Sequence, residues 1–135
     1  GSGIDGVIHM RRDPVDFVAS SIRKTGRGGW VGTGEHALRY RLYHARARQA
    51  ARHARAAIEV SYEALADDID AELARIFRFL GVAEMTVAEL RGYFGAEWHF
   101  MGNASLFDFD GTIRRSHHTV SPTRRRVIGA IAGES

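Results

Sequence analysis

The sequence predicts a helix-rich α/β fold with a partial parallel sheet and flanking helices. Two short apolar runs, residues 7–10 and 57–62, contain the β-branched residues that strands favour. Segments with helical periodicity lie between and after them, giving the order β-α-(loop)-α-β-α-α-loop-α. Strands that are joined through helical crossovers pair in parallel. Because such sheets usually have more members and two covered faces, we expect further strands upstream of residue 1.

Length and composition limit the classes of protein to consider. The 135 residues favour one domain, which we place at residues 4–135, and residues 1–3 have the composition of a tag or linker. Cysteine is absent, so disulfides and thiolate zinc sites are excluded. No run approaches the ~20 apolar residues of a membrane span. We therefore expect a cytoplasmic protein that does not contact a membrane.

The first apolar run, residues 7–10, is predicted to be a buried strand that leads directly into a helix over residues 13–24. Asp13 is a suitable N-cap, and Pro14 suits the first helical position. Arg12 lies between the strand and this cap. An arginine at such a turn favours an anion site, and its alternative role is an ion pair at the sheet edge. We favour the anion site.

A glycine-rich segment, residues 25–35, separates the first helix from the second. It lacks the G-x-x-x-x-G-K-[ST] spacing that surrounds a phosphate with backbone N–H groups. We predict a connecting loop here, in which Trp30 is placed to form a lid or a substrate wall.

Residues 35–56 predict a long helix with two distinct faces. One face carries small residues at helical spacing and is expected to pack inward: Tyr43, Ala47, Ala50, Ala54 and Ala57. Another carries Arg41, Arg48, Arg52 and Arg55. A basic face of this kind is either solvated or in contact with nucleic acid, and the solvated state is the commoner one.

The remaining chain predicts a strand, three helices and one irregular segment. A strand over residues 57–62 precedes a helix that Asp67 or Asp68 caps and Gly81 ends. Thr86 and Glu89 form a capping box for a short helix. Residues 97–118 show little periodicity. The further expected features are an apolar stripe of Ile69, Leu73, Ile76, Phe77 and Leu80, and a last helix from Ser121-Pro122 with Ile128 and Ile131 facing inward.

Three segments, in this order, resemble the sulfotransferase family that uses 3′-phosphoadenosine-5′-phosphosulfate. VIHMRRDPVDFVAS, residues 7–20, is similar to its 3′-phosphate segment, with Ser eight residues after Arg. VSYEALADDIDAELARIFRFLGV, residues 60–82, resembles its Tyr-Glu strand end and the helix that follows. HFMGNASLFDFDGTIRR, residues 99–115, is similar to the His-x-x-x-Gly-Asn segment of bacterial members. The helix LRYRLYHARARQAAR also resembles the one that precedes the Tyr-Glu strand.

The resemblance implies a fold related to the P-loop nucleotide kinases. It also implies transfer of a sulfuryl group from the nucleotide to a hydroxyl or amine of a small molecule or a glycan. By the same resemblance, Arg12 and Ser20 hold the 3′-phosphate, and Tyr62 lies against the adenine side. Gly102 and Asn103 belong to a segment that closes over the nucleotide.

The chain departs from the family pattern in its catalytic parts. The glycine- and lysine-bearing 5′-phosphosulfate loop and the usual catalytic base, His or Glu, match no residue here and would lie upstream. The chain thus resembles a C-terminal portion, and we assign no catalytic residue. We expect it to be inactive without an N-terminal half. Where the family often has Pro and Arg after Gly-Asn, residues 104–106 are Ala-Ser-Leu.

Two other functions remain open from the sequence. The chain is alternatively a non-catalytic binding module that forms a homodimer or pairs with an N-terminal half, since an incomplete sheet leaves an edge that another chain can join. The basic helix face makes nucleic acid the third and least favoured partner. His99, His117 and His118 have no carboxylate at ligand spacing, so we predict no metal site.

Overall fold

The computed structural model describes residues 5–94 and 118–133. Within these ranges there are two strands and six helices, which we number along the chain. They are β1 (Gly6–Arg11), α1 (Pro14–Thr25), α2 (Gly29–His53), β2 (Ala56–Ser61), α3 (Tyr62–Asp67), α4 (Ile69–Leu80), α5 (Val87–Phe94) and α6 (Pro122–Ala132). β1 and β2 pair in parallel. The predicted helix-rich α/β fold is confirmed.

The chain divides into two compact units, Gly1–Glu59 with Ser116–Ser135 and Val60–Arg115. In the first unit α1, α2 and α6 pack on one another, and α2 also packs on β1. Four buried residues form the core between these helices: Val15, Val18, Ala37 and Ile128. Ile128 therefore faces inward as predicted, and the half-buried Ile131 packs against this core.

Local capping chemistry places the ends of α1 and α6 where the sequence predicts them. The Asp13 carboxylate accepts hydrogen bonds from the backbone N–H groups of Val15 and Asp16. The Ser121 hydroxyl accepts one from the Arg124 N–H at 3.3 Å. Both helices have Pro at their first position. The caps satisfy donors that have no partner inside the helix, so both helices begin where the sequence places a polar side chain before Pro.

The glycine-rich segment is largely helical, and the prediction of a loop over residues 25–35 is wrong. α2 begins at Gly29, so Trp30 lies in its first turn. Gly29 has φ +75°, a conformation that glycine adopts without strain. A Cβ atom added at Gly32 would collide with the Arg27 carbonyl, because it would lie 2.9 Å from the carbonyl carbon. Two glycines are thus needed to begin α2 so close to the end of α1.

The inward face of α2 agrees with the prediction only in part. Ala47, Ala50 and Ala54 are half-buried, whereas Tyr43 is 54% exposed and Ala57 is exposed. The fully buried residues of α2 all precede Tyr43. They are Gly32, Thr33, His36, Ala37 and Tyr40. Helix α2 also ends at His53, three residues before the predicted boundary.

In the second unit α3 packs on α4, and α4 packs on α5. The predicted strand over residues 57–62 ends at Ser61, because the Ser61 hydroxyl accepts from the Ala64 N–H at 3.1 Å and caps α3. Asp68 caps α4, and Gly81 ends it with φ +68°. The apolar stripe of α4 is present, but none of its residues is fully buried.

The predicted capping box of α5 is confirmed. The Glu89 carboxylate accepts from the Thr86 backbone N–H at 2.7 Å, and the Glu89 N–H donates to the Thr86 hydroxyl at 3.2 Å. The backbone hydrogen bond, followed by one from the Thr86 hydroxyl, holds the pKa of Glu89 below its usual value. The charged carboxylate is therefore the form that caps this helix.

Two glycines of α2 allow a matched test of the close approach at its start. We expect Gly32→Ala to destabilise the protein by about 1–3 kcal/mol, because the new methyl group meets a backbone carbonyl that cannot rotate away. Gly34→Ala should stabilise it by up to about 1 kcal/mol, since its methyl group meets nothing within 4 Å. Urea denaturation followed by circular dichroism measures both. Equal effects at the two positions would contradict the close approach.

Candidate functional site

Arg12 lies in the turn that joins β1 to α1. It follows the last strand residue, Arg11, and precedes the helix cap, Asp13. The residue is half-buried, and its carbonyl oxygen accepts a hydrogen bond of 2.7 Å from the Tyr40 hydroxyl. Tyr40 is only 2% exposed. A buried side chain of α2 therefore fixes the backbone from which the Arg12 guanidinium projects.

The cap of α1 determines how an anion could bind at this turn. Both first-turn N–H groups that point toward the turn donate to the Asp13 carboxylate, Val15 at 2.8 Å and Asp16 at 3.0 Å. These donors are not available to a second anion without loss of the cap. An anion at this turn must therefore be held mainly by side chains, of which Arg12 is the cation next to the cap.

Ser20 lies on the same helix as this cap, seven residues further along. With 100° between successive residues, positions 13, 16 and 20 share one side of α1. At a rise of 1.5 Å per residue, Ser20 is about 10 Å along the axis from Asp13. Ser20 is half-buried. One strand-turn-helix unit thus carries both residues that were predicted to hold a phosphate, Arg12 at its turn and Ser20 along its helix.

A network of polar aromatic side chains supports the turn from the side of α2. Tyr40 contacts Phe17 edge-on at 5.4 Å between ring centroids, and its ring lies 4.1 Å from that of His44. His44 Nδ1 is 2.6 Å from His9 Nε2 in β1. His9 Nδ1 in turn lies 3.5 Å from a Glu59 carboxylate oxygen in β2. This network links β1, β2, α1 and α2 around the Arg12 backbone.

Sequence reasoning missed this network. The sequence predicts a buried strand over Val-Ile-His-Met, whereas among these residues only His9 is buried and Ile8 and Met10 are exposed. Two signals were present. Tyr40 and His44 are four residues apart on one helix, a spacing that brings side chains together. His9 is a polar residue in an otherwise apolar strand, and such residues are buried when they have a partner.

The remaining predicted site residues are Tyr62, Gly102 and Asn103. Tyr62 belongs to the second unit, where it is the first residue of α3 and is half-buried. Gly102 and Asn103 lie outside the described residues. The site that the structure describes is therefore the β1–α1 turn with Arg12 and Ser20. Arg11, the neighbour of Arg12, forms an ion pair with Glu59 at 3.4 Å.

The arginines predicted to form a basic face on α2 contact either solvent or one acidic residue. The predicted basic face of α2 is solvent-exposed at Arg41, Arg48 and Arg52, and Arg55 pairs with Asp5 at 3.5 Å.

Over residues 5–94 and 118–133, no cluster of three or more His, Asp or Glu side chains has an arrangement that could bind a metal ion. No helix in the same ranges is both long enough and apolar enough for a membrane crossing.

Comparison with known proteins adds one finding. A family model described as the sulfotransferase family matches residues 6–86, which include the β1–α1 turn, Ser20 and Tyr62. No curated protein and no solved structure matches the chain. The matched range covers more than half of the 135 residues.

The hydroxyl of Tyr40 provides the test of how the turn is held. We expect Tyr40→Phe to destabilise the protein by about 1–3 kcal/mol, because the Arg12 carbonyl loses its buried donor. Tyr43→Phe removes a hydroxyl from an exposed residue of the same helix and should change stability by less than about 0.5 kcal/mol. Urea denaturation of the three proteins measures this difference. Equal stabilities would show that the Tyr40 hydroxyl does not hold the turn.

Proposed function

Because the chain belongs to the sulfotransferase family, we propose that it binds 3′-phosphoadenosine-5′-phosphosulfate for sulfuryl transfer to a hydroxyl or amine. The proposed acceptor is a small molecule or a glycan. The observation that carries the proposal is the position of Arg12 on a turn whose backbone is held by the buried Tyr40 hydroxyl. A cation on a fixed backbone loses little freedom when it binds an anion, which favours affinity.

The chemistry of the turn suits a phosphate monoester. A guanidinium donates two parallel charge-assisted hydrogen bonds to phosphate oxygens, and a serine hydroxyl adds a third donor. The nearby Asp13 carboxylate already accepts two backbone N–H groups, which offset part of its negative charge. We therefore assign the 3′-phosphate to Arg12 and Ser20.

The remaining residues are assigned through the family resemblance. Tyr62 offers an aromatic ring of the kind that packs on adenine. Gly102 and Asn103 are proposed to close over the nucleotide, although they lie outside the described residues. When bound, the nucleotide supplies a sulfuryl group that passes to the acceptor oxygen or nitrogen as its bond to the 5′-phosphate breaks.

In this proposal the described residues bind and orient the donor. Positioning and charge neutralisation account for much of the rate in transfers of this kind. We assign no catalytic base among residues 5–94 and 118–133. We accordingly expect the chain by itself to bind the nucleotide without turning it over at a measurable rate.

A second candidate function is favoured by one specific observation on β1. Ile8 and Met10 are 39% and 48% exposed, and their side chains project from the face opposite His9, which contacts α2. Adjacent exposed apolar side chains on a strand favour association. The partner we propose for this candidate is a second copy of the chain, because one apolar patch is self-complementary across a two-fold axis.

Binding of 3′-phosphoadenosine-5′-phosphate, measured by calorimetric titration, tests the first candidate. We expect Arg12→Ala to weaken binding by about 10- to 100-fold, as for loss of a charge-assisted contact to phosphate. Arg11→Ala is the matched control, since the neighbouring Arg11 pairs with Glu59 and should leave affinity nearly unchanged. Ser20→Ala should weaken binding by several-fold and Ser21→Ala should not. Adenosine 5′-phosphate lacks the 3′-phosphate. It should therefore bind Arg12→Ala and the wild type with the same affinity.

Failure of the wild-type chain to bind, with an intact circular dichroism spectrum, would rule out the nucleotide role of these residues. Equal losses in Arg11→Ala and Arg12→Ala would instead indicate nonspecific attraction by positive charge.

Sedimentation velocity over a range of concentrations tests the second candidate. We expect the wild type to dimerise and Met10→Glu to remain monomeric, because the carboxylate would be buried without a partner. Val31→Glu, on an 87% exposed residue of α2, is the control and should dimerise normally. A wild type that is monomeric at every concentration would exclude this candidate.

A further inference from the structure

A groove in the first unit lies between α1 and the C-terminal segment that ends in α6. Its volume is about 380 Å³, within the range of roughly 300–1,000 Å³ that small-molecule sites occupy. The residues that line it and matter here are Val18, Ala19 and Ile22 of α1 with His118, Arg124 and Ile128. Val18 and Ile128 are fully buried, so the floor of the groove is apolar and continuous with the core.

This groove is separate from the β1–α1 turn. Along α1, Val18 and Ile22 each lie about 200° around the helix axis from Ser20, and Ala19 lies about 100° from it. A molecule held against Val18 and Ile22 would therefore face away from Ser20. The residues assigned to the nucleotide do not line the groove.

Arg124 places a positive charge in the wall of the groove. Its guanidinium lies over the Trp30 ring at 5.3 Å from the ring centroid. The ring attracts the cation and restricts where the guanidinium can lie. Arg124 is half-buried, and among the described residues no carboxylate lies within ion-pair distance of it. The cation is thus restricted in position and still able to bind an anion.

His118 adds a polar atom to the same groove. Its Nε2 atom is buried and has no hydrogen-bond partner among the described residues, while its backbone N–H donates to the Asp16 carboxylate at 3.4 Å. Most buried polar side-chain atoms have a partner, and an exception calls for a water molecule or a ligand. His118 lines the groove together with Arg124, and its unpartnered nitrogen lies beneath the surface of the groove.

The charged residues near the groove favour one sign of ligand. The first turn of α6 contains Arg124 and Arg125 and no acidic residue, Arg126 follows, and the last turn of α1 contains Arg23 and Lys24. Among the described residues, these cations outnumber the one carboxylate that contacts the lining, that of Asp16 at the His118 backbone N–H. A small anion is therefore favoured over a cation or a neutral molecule of the same shape. The apolar floor, in turn, favours a ligand with a hydrocarbon body.

We propose that this groove binds a small organic anion in which a carboxylate or sulfate group is attached to an aryl or short alkyl body. The anionic group accepts hydrogen bonds from the Arg124 guanidinium. The hydrocarbon body packs on Ala19 and Ile22, over the buried Val18 and Ile128. The site bridges α1 and α6, so a bound ligand raises the thermal stability of the first unit.

Titration with 3-phenylpropanoate, followed by methyl resonances in NMR spectra, tests the proposal. We expect saturable shifts of the Val18, Ile22 and Ile128 methyl groups. The neutral analogue 3-phenylpropan-1-ol should bind at least about tenfold more weakly, because a hydrogen bond to a charged group is worth more than a neutral one. Arg124→Gln should weaken the acid by about tenfold and leave the alcohol unchanged. Arg125→Gln, on an exposed neighbour, is the matched control and should bind like the wild type.

A second variant keeps the test decisive if Arg124→Gln fails to fold. Ala19→Leu fills the groove from α1 without removing a charge, and it should abolish binding of the acid while leaving affinity for 3′-phosphoadenosine-5′-phosphate unchanged. Failure of the nucleotide proposal would appear at Arg12 and would not affect this result. The groove proposal is overturned by absence of saturable shifts, by shifts outside the groove, by equal affinity for the alcohol, or by an Ala19→Leu variant that still binds the acid.

Discussion

The hydrogen bond between the Tyr40 hydroxyl and the Arg12 carbonyl is the constraint on which the first unit depends most. It joins the middle of the longest described helix to the turn between β1 and α1. The same ring contacts Phe17 of α1 and His44 of α2. A single buried side chain therefore holds the strand end, the helix start and the opposite helix in register. The backbone position of Arg12 is consequently held by α2, nearly thirty residues away in sequence.

The parts of the fold that follow from local chemistry could be predicted from the sequence. Asp13 and Ser121 begin their helices where an Asp-Pro and a Ser-Pro pair occur, and Gly81 ends α4 in a left-handed conformation. A cap needs only a side chain and the next few backbone groups, so its signal is complete within about four residues. The placement of Arg12 at the turn followed from the same local signals.

The parts that depend on distant contacts could not be predicted in this way. Helix α2 begins within the glycine-rich segment because Gly32 allows the Arg27 carbonyl to approach it, which composition alone does not reveal. Its contacts with α1, α6 and β1 accompany full burial of His36, Ala37 and Tyr40, whereas the regularly spaced alanines further along are at most half-buried. The contact between His9 and His44 joins residues 35 positions apart, so local sequence did not predict it either.

The contact between His9 Nε2 and His44 Nδ1 has a consequence for the tautomers of the two rings. At 2.6 Å one hydrogen atom must lie between the two nitrogens, since two lone pairs or two N–H groups would repel each other at that distance. One ring therefore donates and the other accepts, so the tautomer of His9 in β1 is coupled to that of His44 in α2. The side-chain contact between strand and helix thus forms only when the two histidines carry complementary hydrogen positions.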